Sequence, residues 1–317
     1  MNEIAIAKSR SLIDIENQAG IARITCGWKK AHLSLDTVRR YWRDVHSPAI
    51  GRRPGLYEYR HHQYDAVETD LFQAIDGISL DCEPNEQLMW LSDVRYRDQE
   101  GLDAFGKSPD GEVKSYLLAD IDLIVDKSST YKAVGNNAVT YLDITGNPTP
   151  QGCPASPSYS IFFRQRSDEL RLHQCVREIA QLWSTKTGVR RVRLNLLEAP
   201  DMEAEKKAGY PIKTHPKEQQ YQAWIELVLE DRSVATTLLA VSDGVDYAAA
   251  ISAIHAYPVA ATYTSVYGGR PTLVGLRGYP AYEAIQALNA NNQRQASLLI
   301  WMYGAVVQGG PIVVDGQ

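Results

Sequence analysis

A stretch rich in histidine, tyrosine and tryptophan lies in the first part of the chain, YWRDVHSPAIGRRPGLYEYRHHQY (residues 41–64). It contains His46, His61 and His62, three of the seven histidines of the chain. An imidazole titrates near neutral pH, so it can give or take a proton under physiological conditions. A neighbouring phenol can donate a hydrogen bond to a carbonyl or enolate oxygen. These residue types favour general acid–base chemistry without a metal or nucleotide.

The elements predicted here determine which of these side chains can meet. LSLDTVRRYWRDVH (residues 33–46) has a helical apolar stripe, Ser34 as its N-cap and Pro48 after its end. Trp42 and His46 are four residues apart, so they lie on one helix face. The helix C-terminus stabilises a cationic histidine by roughly 0.3–1 kcal/mol. His46 is therefore a candidate for proton transfer.

The next segment, LYEYRHHQY (residues 56–64), alternates as a strand. Successive side chains of a strand point to opposite faces. One face carries Tyr57, Tyr59 and His61, and the other carries Glu58, Arg60 and His62.

Structural roles compete with these functional ones. A histidine at a helix end before a proline can simply cap the last carbonyls, which is the alternative for His46. Either His61 or His62 is expected to face solvent. Three aspartates further on are predicted to cap and position helices: Asp120, Asp122 and Asp126.

The order of predicted elements gives the fold class. In the first half, strands at residues 21–28, 56–64, 86–96 and 137–145 alternate with helices in the order β-α-β-β-α-β. This order recurs after the linker GNPTPQGCPASPS (residues 146–158). The sequence therefore predicts an α+β protein made of two tandem ferredoxin-like units.

The domain boundaries follow from this repeat. We predict one domain over residues 1–150 and a second over residues 151–317, which ends in a helical extension near Pro280. Aligning Val38 with Val176 places His46 opposite Ser184. The polar aromatic residues thus belong to the first copy alone, which favours a ligand site there.

Two segments carry a family resemblance. LDTVRRYWRDVHSPAIGRRPGLYEYRHHQY resembles the EthD-domain pattern of a helix ending in Tyr-Trp, then His, a small residue and Pro, followed by Pro-Gly-Leu and an aromatic strand. SYLLADIDLIVDKS resembles the second signature of that family. Together they cover roughly residues 22–130. The resemblance implies a dimeric α+β barrel, here closed by one chain, with Tyr59 and His61 facing inward.

The family also suggests an activity. It implies a cofactor-independent lyase or isomerase (a dehydratase, decarboxylase or cyclase) acting on an aromatic or polyketide-like molecule. Relatives by fold leave two alternatives open, namely a haem-dependent enzyme and a non-catalytic binding protein. The expected catalytic residues are His46, Tyr59 and His61, and the expected substrate-binding residues are Trp42, Tyr57, His62 and Trp90.

Composition argues against several other classes of protein. The net charge of −5 argues against nucleic-acid binding, and no apolar run approaches the ~20 residues that span a bilayer. The four cysteines form no CxxC pair, so we expect no zinc site and a reduced, cytoplasmic protein. The expected partner is a small-molecule substrate, with a homodimer left open.

No cofactor is expected from the sequence motifs. GLRGYP lacks the GxGxxG spacing of a dinucleotide site. A haem would need only one axial histidine, so the haem alternative keeps three candidates in the second half. These are His173, His215 and His255.

Overall fold

One curled antiparallel sheet forms the frame of the protein. The computed structural model describes residues 12–166, 168–207, 216–240 and 246–304. The strands are β1 (Ile21–Lys29), β2 (Leu56–Tyr64), β3 (Trp90–Tyr96), β4 (Val125–Val134), β5 (Ala138–Asp143), β6 (Gln151–Gly152), β7 (Ser158–Gln165), β8 (Val189–Leu196), β9 (Ala223–Leu229), β10 (Ile251–Tyr267) and β11 (Arg270–Pro271). Their order is β4-β1-β3-β2-β10-β7-β9-β8-β5, with β6 and β11 paired to β10. The protein is therefore an α+β protein built on one sheet.

Helices cover the outer face of this sheet. They are α1 (Leu35–Tyr41), α2 (Ser47–Ile50), α3 (Gln99–Lys107), α4 (Gly111–Ile124), α5 (Glu169–Trp183), α6 (Met202–Lys207), α7 (Tyr247–Ala250), α8 (Leu273–Arg277), α9 (Tyr279–Ala287) and α10 (Ala296–Tyr303). Ser34 caps α1, since its Oγ accepts from the backbone N–H of Thr37 at 3.1 Å. A π-helical turn, Trp42–His46, joins α1 to α2. Across the described ranges, every helix is too short or too polar to cross a membrane.

The strand order repeats in the two halves. Numbered within its own half, each set of four strands lies in the order fourth, first, third, second: β4-β1-β3-β2 and β10-β7-β9-β8. The prediction for the fourth strand of the first half is wrong. That strand is β4, whereas residues 138–143 form β5 and pair with β8 of the second half. Lysines, serines and threonines occupy half of β4, so hydrophobic alternation does not reveal it.

The long strand β10 joins the halves. Its first part pairs with β7 and its last part with β2, with register shifts in both ladders. The sheet curls around this strand until the backbone of Glu198 bonds to Lys132 of β4. The curl creates an inner face shared by both halves.

The inner face is charged. Arg193 of β8 reaches across to Glu58 of β2, with an N–O distance of 2.9 Å. Arg191 and Arg193, at the start of β8, are therefore buried against carboxylates. Tyr59 and His61 were expected on this inner face, and that expectation is wrong. They point to the helices instead, because the arginines of β8 take the inner face opposite Glu58.

Candidate functional site

A cavity of about 90 Å³ lies between the sheet and the helices of the first half. Four predicted site residues line it, namely Trp42, His46, Tyr59 and Trp90. The other lining residues come from β1, β3, β4 and the nearby helices and loops: Arg23, Thr25, Ile50, Arg53, Ser92, Val94, Tyr96, Phe105, Ile121, Val125, Ser128 and Thr130. Aromatic and aliphatic walls with a few polar groups are typical of small-molecule sites.

His46 brings an imidazole to this cavity. The π-helical turn packs its ring against Trp42, with ring centroids 4.3 Å apart, and leaves the residue only 4% exposed. Its Nδ1 lies 3.4 Å from Oδ2 of Asp120 on α4. An ionised carboxylate can only accept hydrogen bonds, so Nδ1 must carry the proton when the ring is neutral. Nε2 is then the nitrogen that can accept a proton from a substrate.

Asp120 is held from two sides. Its Oδ1 accepts a hydrogen bond from the Tyr41 hydroxyl at 2.5 Å. The hydrogen bond from His46 holds the pKa of Asp120 below its ordinary value, and the bond to Asp120 raises the pKa of Tyr41 to about 12. The carboxylate is thus ionised at neutral pH, and it orients His46 and stabilises its cation. The sequence had suggested only a capping and positioning role for Asp120.

Two donors stand near the imidazole. The Tyr59 hydroxyl lies 2.9 Å from Ser47 Oγ, and burial raises the pKa of this phenol, so it keeps its proton. The Trp90 indole Nε1 is buried and has no hydrogen-bond partner among the described residues. A buried donor without a partner costs free energy that an acceptor on a ligand can recover. Trp90 can therefore bind a ligand oxygen.

A glycine makes room for this indole. A Cβ at Gly27 of β1 would lie 2.2 Å from Cζ2 of Trp90. No side chain fits there unless the indole moves. The glycine thus helps to place the indole of Trp90, which lines the cavity, although the sequence gives no sign of it.

The other predicted site residues lie elsewhere. His61 packs behind Trp42, with ring centroids 6.0 Å apart, and is not among the residues lining the cavity. Tyr57 donates to the carbonyl of Ile15 at 3.0 Å. His62 faces the inner side of the sheet. Sequence reasoning missed several small polar residues that line the cavity. They are Thr25 of β1, Ser92 of β3, and Ser128 and Thr130 of β4.

The haem alternative needs a histidine with a free coordinating nitrogen. His173 Nε2 lies 2.9 Å from the carbonyl of Gln222, and His255 bonds to Tyr221 and to the backbone of Asp81. Neither ring lines the His46 cavity, and His255 already has two hydrogen-bond partners. His215 lies outside the described residues. Within the described ranges, no cluster of three acidic, histidine or cysteine side chains could hold a metal ion.

Comparisons with known proteins add little. No family model matches the chain, and no curated protein matches it. The chain is similar in structure to proposed monooxygenases from Fusobacterium nucleatum (TM-score 0.42, 9% identity, 78% of this chain and 96% of that one) and Lactobacillus acidophilus (0.42, 6%, 78% and 97%). It is also similar to an anthrone oxidase-like protein (0.43, 10%, 78% and 93%). At such low scores, the functional argument rests on the site alone.

Proposed function

We propose that the protein is a cofactor-independent lyase or isomerase that moves a proton next to a carbonyl group of a small aromatic or polyketide-like molecule. The observation that carries this proposal is the pair of buried His46 and half-buried Asp120 at a mainly apolar cavity. His46 Nε2 takes the proton from the carbon, and Asp120 stabilises the imidazolium. A positioned base of this kind typically contributes about 10²–10⁴-fold in rate.

The negative charge that develops on the substrate oxygen needs donors. Trp90 Nε1 has no competing partner in the described structure, and Tyr59 can turn its hydroxyl from Ser47 to the substrate. Donors placed where charge develops stabilise the transition state more than the ground state. Trp42 and Trp90, with ring centroids 5.2 Å apart, offer aromatic surface to the substrate ring.

We further propose that each half is a ferredoxin-like unit and that the chain is an EthD-like α+β barrel. The repeated order of four strands supports this interpretation. The resemblance to EthD domains rests on the segments around His46 and Asp120 alone.

The proton-transfer step can be tested before the substrate is known. We expect the protein to accelerate exchange of the α-hydrogens of small aryl ketones, such as acetophenone and benzoylacetate, in D₂O, followed by NMR. His46→Gln should lower this rate by about 10²–10⁴-fold with little change in melting temperature. His32→Gln, at an exposed histidine, is the matched control and should keep the wild-type rate.

Four results would contradict the proposal. Absence of acceleration with every ketone would exclude this substrate class. Unchanged exchange by His46→Gln would place the base elsewhere. Saturable binding of the ketones without exchange would instead support the binding-protein alternative, and a Soret band in the purified protein would support the haem alternative.

A further inference from the structure

A second cavity, of about 120 Å³, opens at one mouth of the curled sheet. The proline-rich segment 146–158, predicted as a linker, covers it. β6 within this segment pairs with Thr262 and Tyr263 of β10, and Arg60 Nη2 donates to the carbonyl of Pro148 at 3.1 Å. The segment is therefore a fixed wall of the cavity. This cavity is on the opposite side of β2 from the His46 cavity.

A buried histidine with a free nitrogen belongs to this wall. His62 is 1% exposed, and its Nδ1 lies 3.1 Å from the hydroxyl of Thr262. Its Nε2 has no hydrogen-bond partner among the described residues. Buried polar atoms are nearly always paired, so this unpaired nitrogen of a cavity-lining residue is a candidate partner for a ligand group.

Most charges at the cavity are already compensated. Arg191 lies 3.0 Å from both Glu16 and Glu226, and Arg60 lies 2.7 Å from Glu16. Burial opposes ionisation of Glu226, but Arg191 and Arg60 together lower its pKa to about 2. The charge of Glu226 is therefore neutralised by its partners and does not repel an anion strongly.

Arg190 differs from these arginines. It lines the cavity, and its guanidinium lies 3.4 Å from the carbonyl of Ile144, next to the cavity residue Thr145. In the part of the chain that the structure describes, no carboxylate lies within ion-pair distance of it. A partly buried guanidinium without a carboxylate is suited to bind one, because its donors match the two oxygens.

The rest of the wall is apolar. Val228, Val259, Pro150, Pro154 and Ala155 face the same space. We propose that this cavity is a second binding site, which takes a small organic carboxylate with a short apolar body. Its carboxylate binds Arg190, and a second polar group completes His62 Nε2.

The probes are benzoate, pyruvate and isobutyrate, with benzamide and isobutyramide as neutral counterparts. Binding is measured by saturation-transfer NMR and calorimetry at pH 7 and constant ionic strength. We expect a carboxylate to bind at least tenfold more tightly than its amide, since a charge-assisted pair to Arg190 is lost in the amide. A shift of the His62 ring nitrogen signals on binding would place the ligand in this cavity.

Variants distinguish binding at Arg190 from a nonspecific effect of the net charge of the protein. Arg190→Gln should weaken carboxylate binding about tenfold or more, Arg190→Lys should weaken it less, and Arg171→Gln, at an exposed arginine of α5, should not change it. Melting temperatures confirm that each variant is folded. Equal binding of acids and amides, or unchanged affinity in Arg190→Gln, would overturn the proposal. So would the absence of binding by all three acids. His46→Gln should leave this binding intact, so the two sites are tested independently.

Discussion

The two halves of the molecule share a strand order but differ in the layer between sheet and helix. In the second half, α5 packs on the sheet through a continuous apolar core of Ile161, Phe163, Leu172, Val176, Ile179, Trp183, Val192, Leu194, Ile225 and Leu227. In the first half, the same layer holds a cavity with an imidazole, a phenol and several hydroxyls. One frame thus supports either a solid core or a polar cavity.

Besides the π-helical turn of the first half, the difference lies in the side chains. The second strand of each half presents Tyr59 and His61 in one copy and Val192 and Leu194 in the other. Ser184, aligned with His46, follows α5, and its hydroxyl donates to the nearby carbonyl of Gln181 at 2.7 Å. Polar groups in the first copy are therefore not required by the frame, which is why we assign them to ligand binding.

The two layers should differ most in how much stability they lose when one tryptophan of each is replaced by alanine. Trp183 is fully buried and stacks on Phe72. Trp183→Ala should lower the free energy of unfolding by about 3–5 kcal/mol, measured by urea denaturation. Trp42→Ala should cost less, because part of that indole borders a cavity and has fewer packing partners. Equal losses would show that the first layer is packed as tightly as the second.

Acid should destabilise the first layer through His61. Burial, followed by the charges of His62, His46, Arg39 and Arg43, lowers the pKa of His61 well below its ordinary value of 6.5. In acid the unfolded chain therefore binds more protons than the folded one. The stability linked to His61 is complete above pH 6.5 and is lost as the pH falls toward the folded pKa.

We expect His61→Gln to reduce the fall in unfolding free energy between pH 7.5 and 5.5, measured by urea denaturation at each pH. His32→Gln, at an exposed position, is the control and should keep the wild-type dependence. The same dependence in wild type and His61→Gln would show that other groups carry the acid sensitivity.

The sequence predicted strand β2 of the first layer well, but not strand β4 or the contacts between elements. Residues 56–64 are a strand with the expected bounds, and the grouping of Trp42 with His46 is confirmed. Tyr59 and His61 were assigned to the wrong face of β2. The arginines of β8 that pack against the inner face of β2 lie far away in sequence. Asp120 could not be assigned to His46 either, since only tertiary packing brings α4 to the π-helical turn. Long-range partners of this kind leave no local pattern.

A smaller effect should follow from filling the space that Gly27 leaves. Gly27→Ala would push a methyl group into the Trp90 indole and should destabilise the protein by about 1–3 kcal/mol. Gly106→Ala is the matched control in α3, where a new Cβ meets nothing within 4 Å, and it should stabilise by up to about 1 kcal/mol. Aryl ketone binding should weaken in Gly27→Ala only. Unchanged stability and binding would mean that the indole is free to move.

The smallest expected effect concerns the hydrogen bond between Tyr59 and Ser47, which links β2 to α2 beside the cavity. The variants Tyr59→Phe, Ser47→Ala and their combination form a double-mutant cycle. We expect a coupling of about 0.5–1.5 kcal/mol in the free energy of unfolding. Each single variant removes one of the two hydroxyls and leaves the other buried without its hydrogen-bond partner. A coupling near zero would mean that the hydroxyls do not hold each other in solution. Tyr59 would then be able to donate to a ligand without first breaking its bond to Ser47. In the second layer, Val192 and Leu194 occupy the corresponding strand.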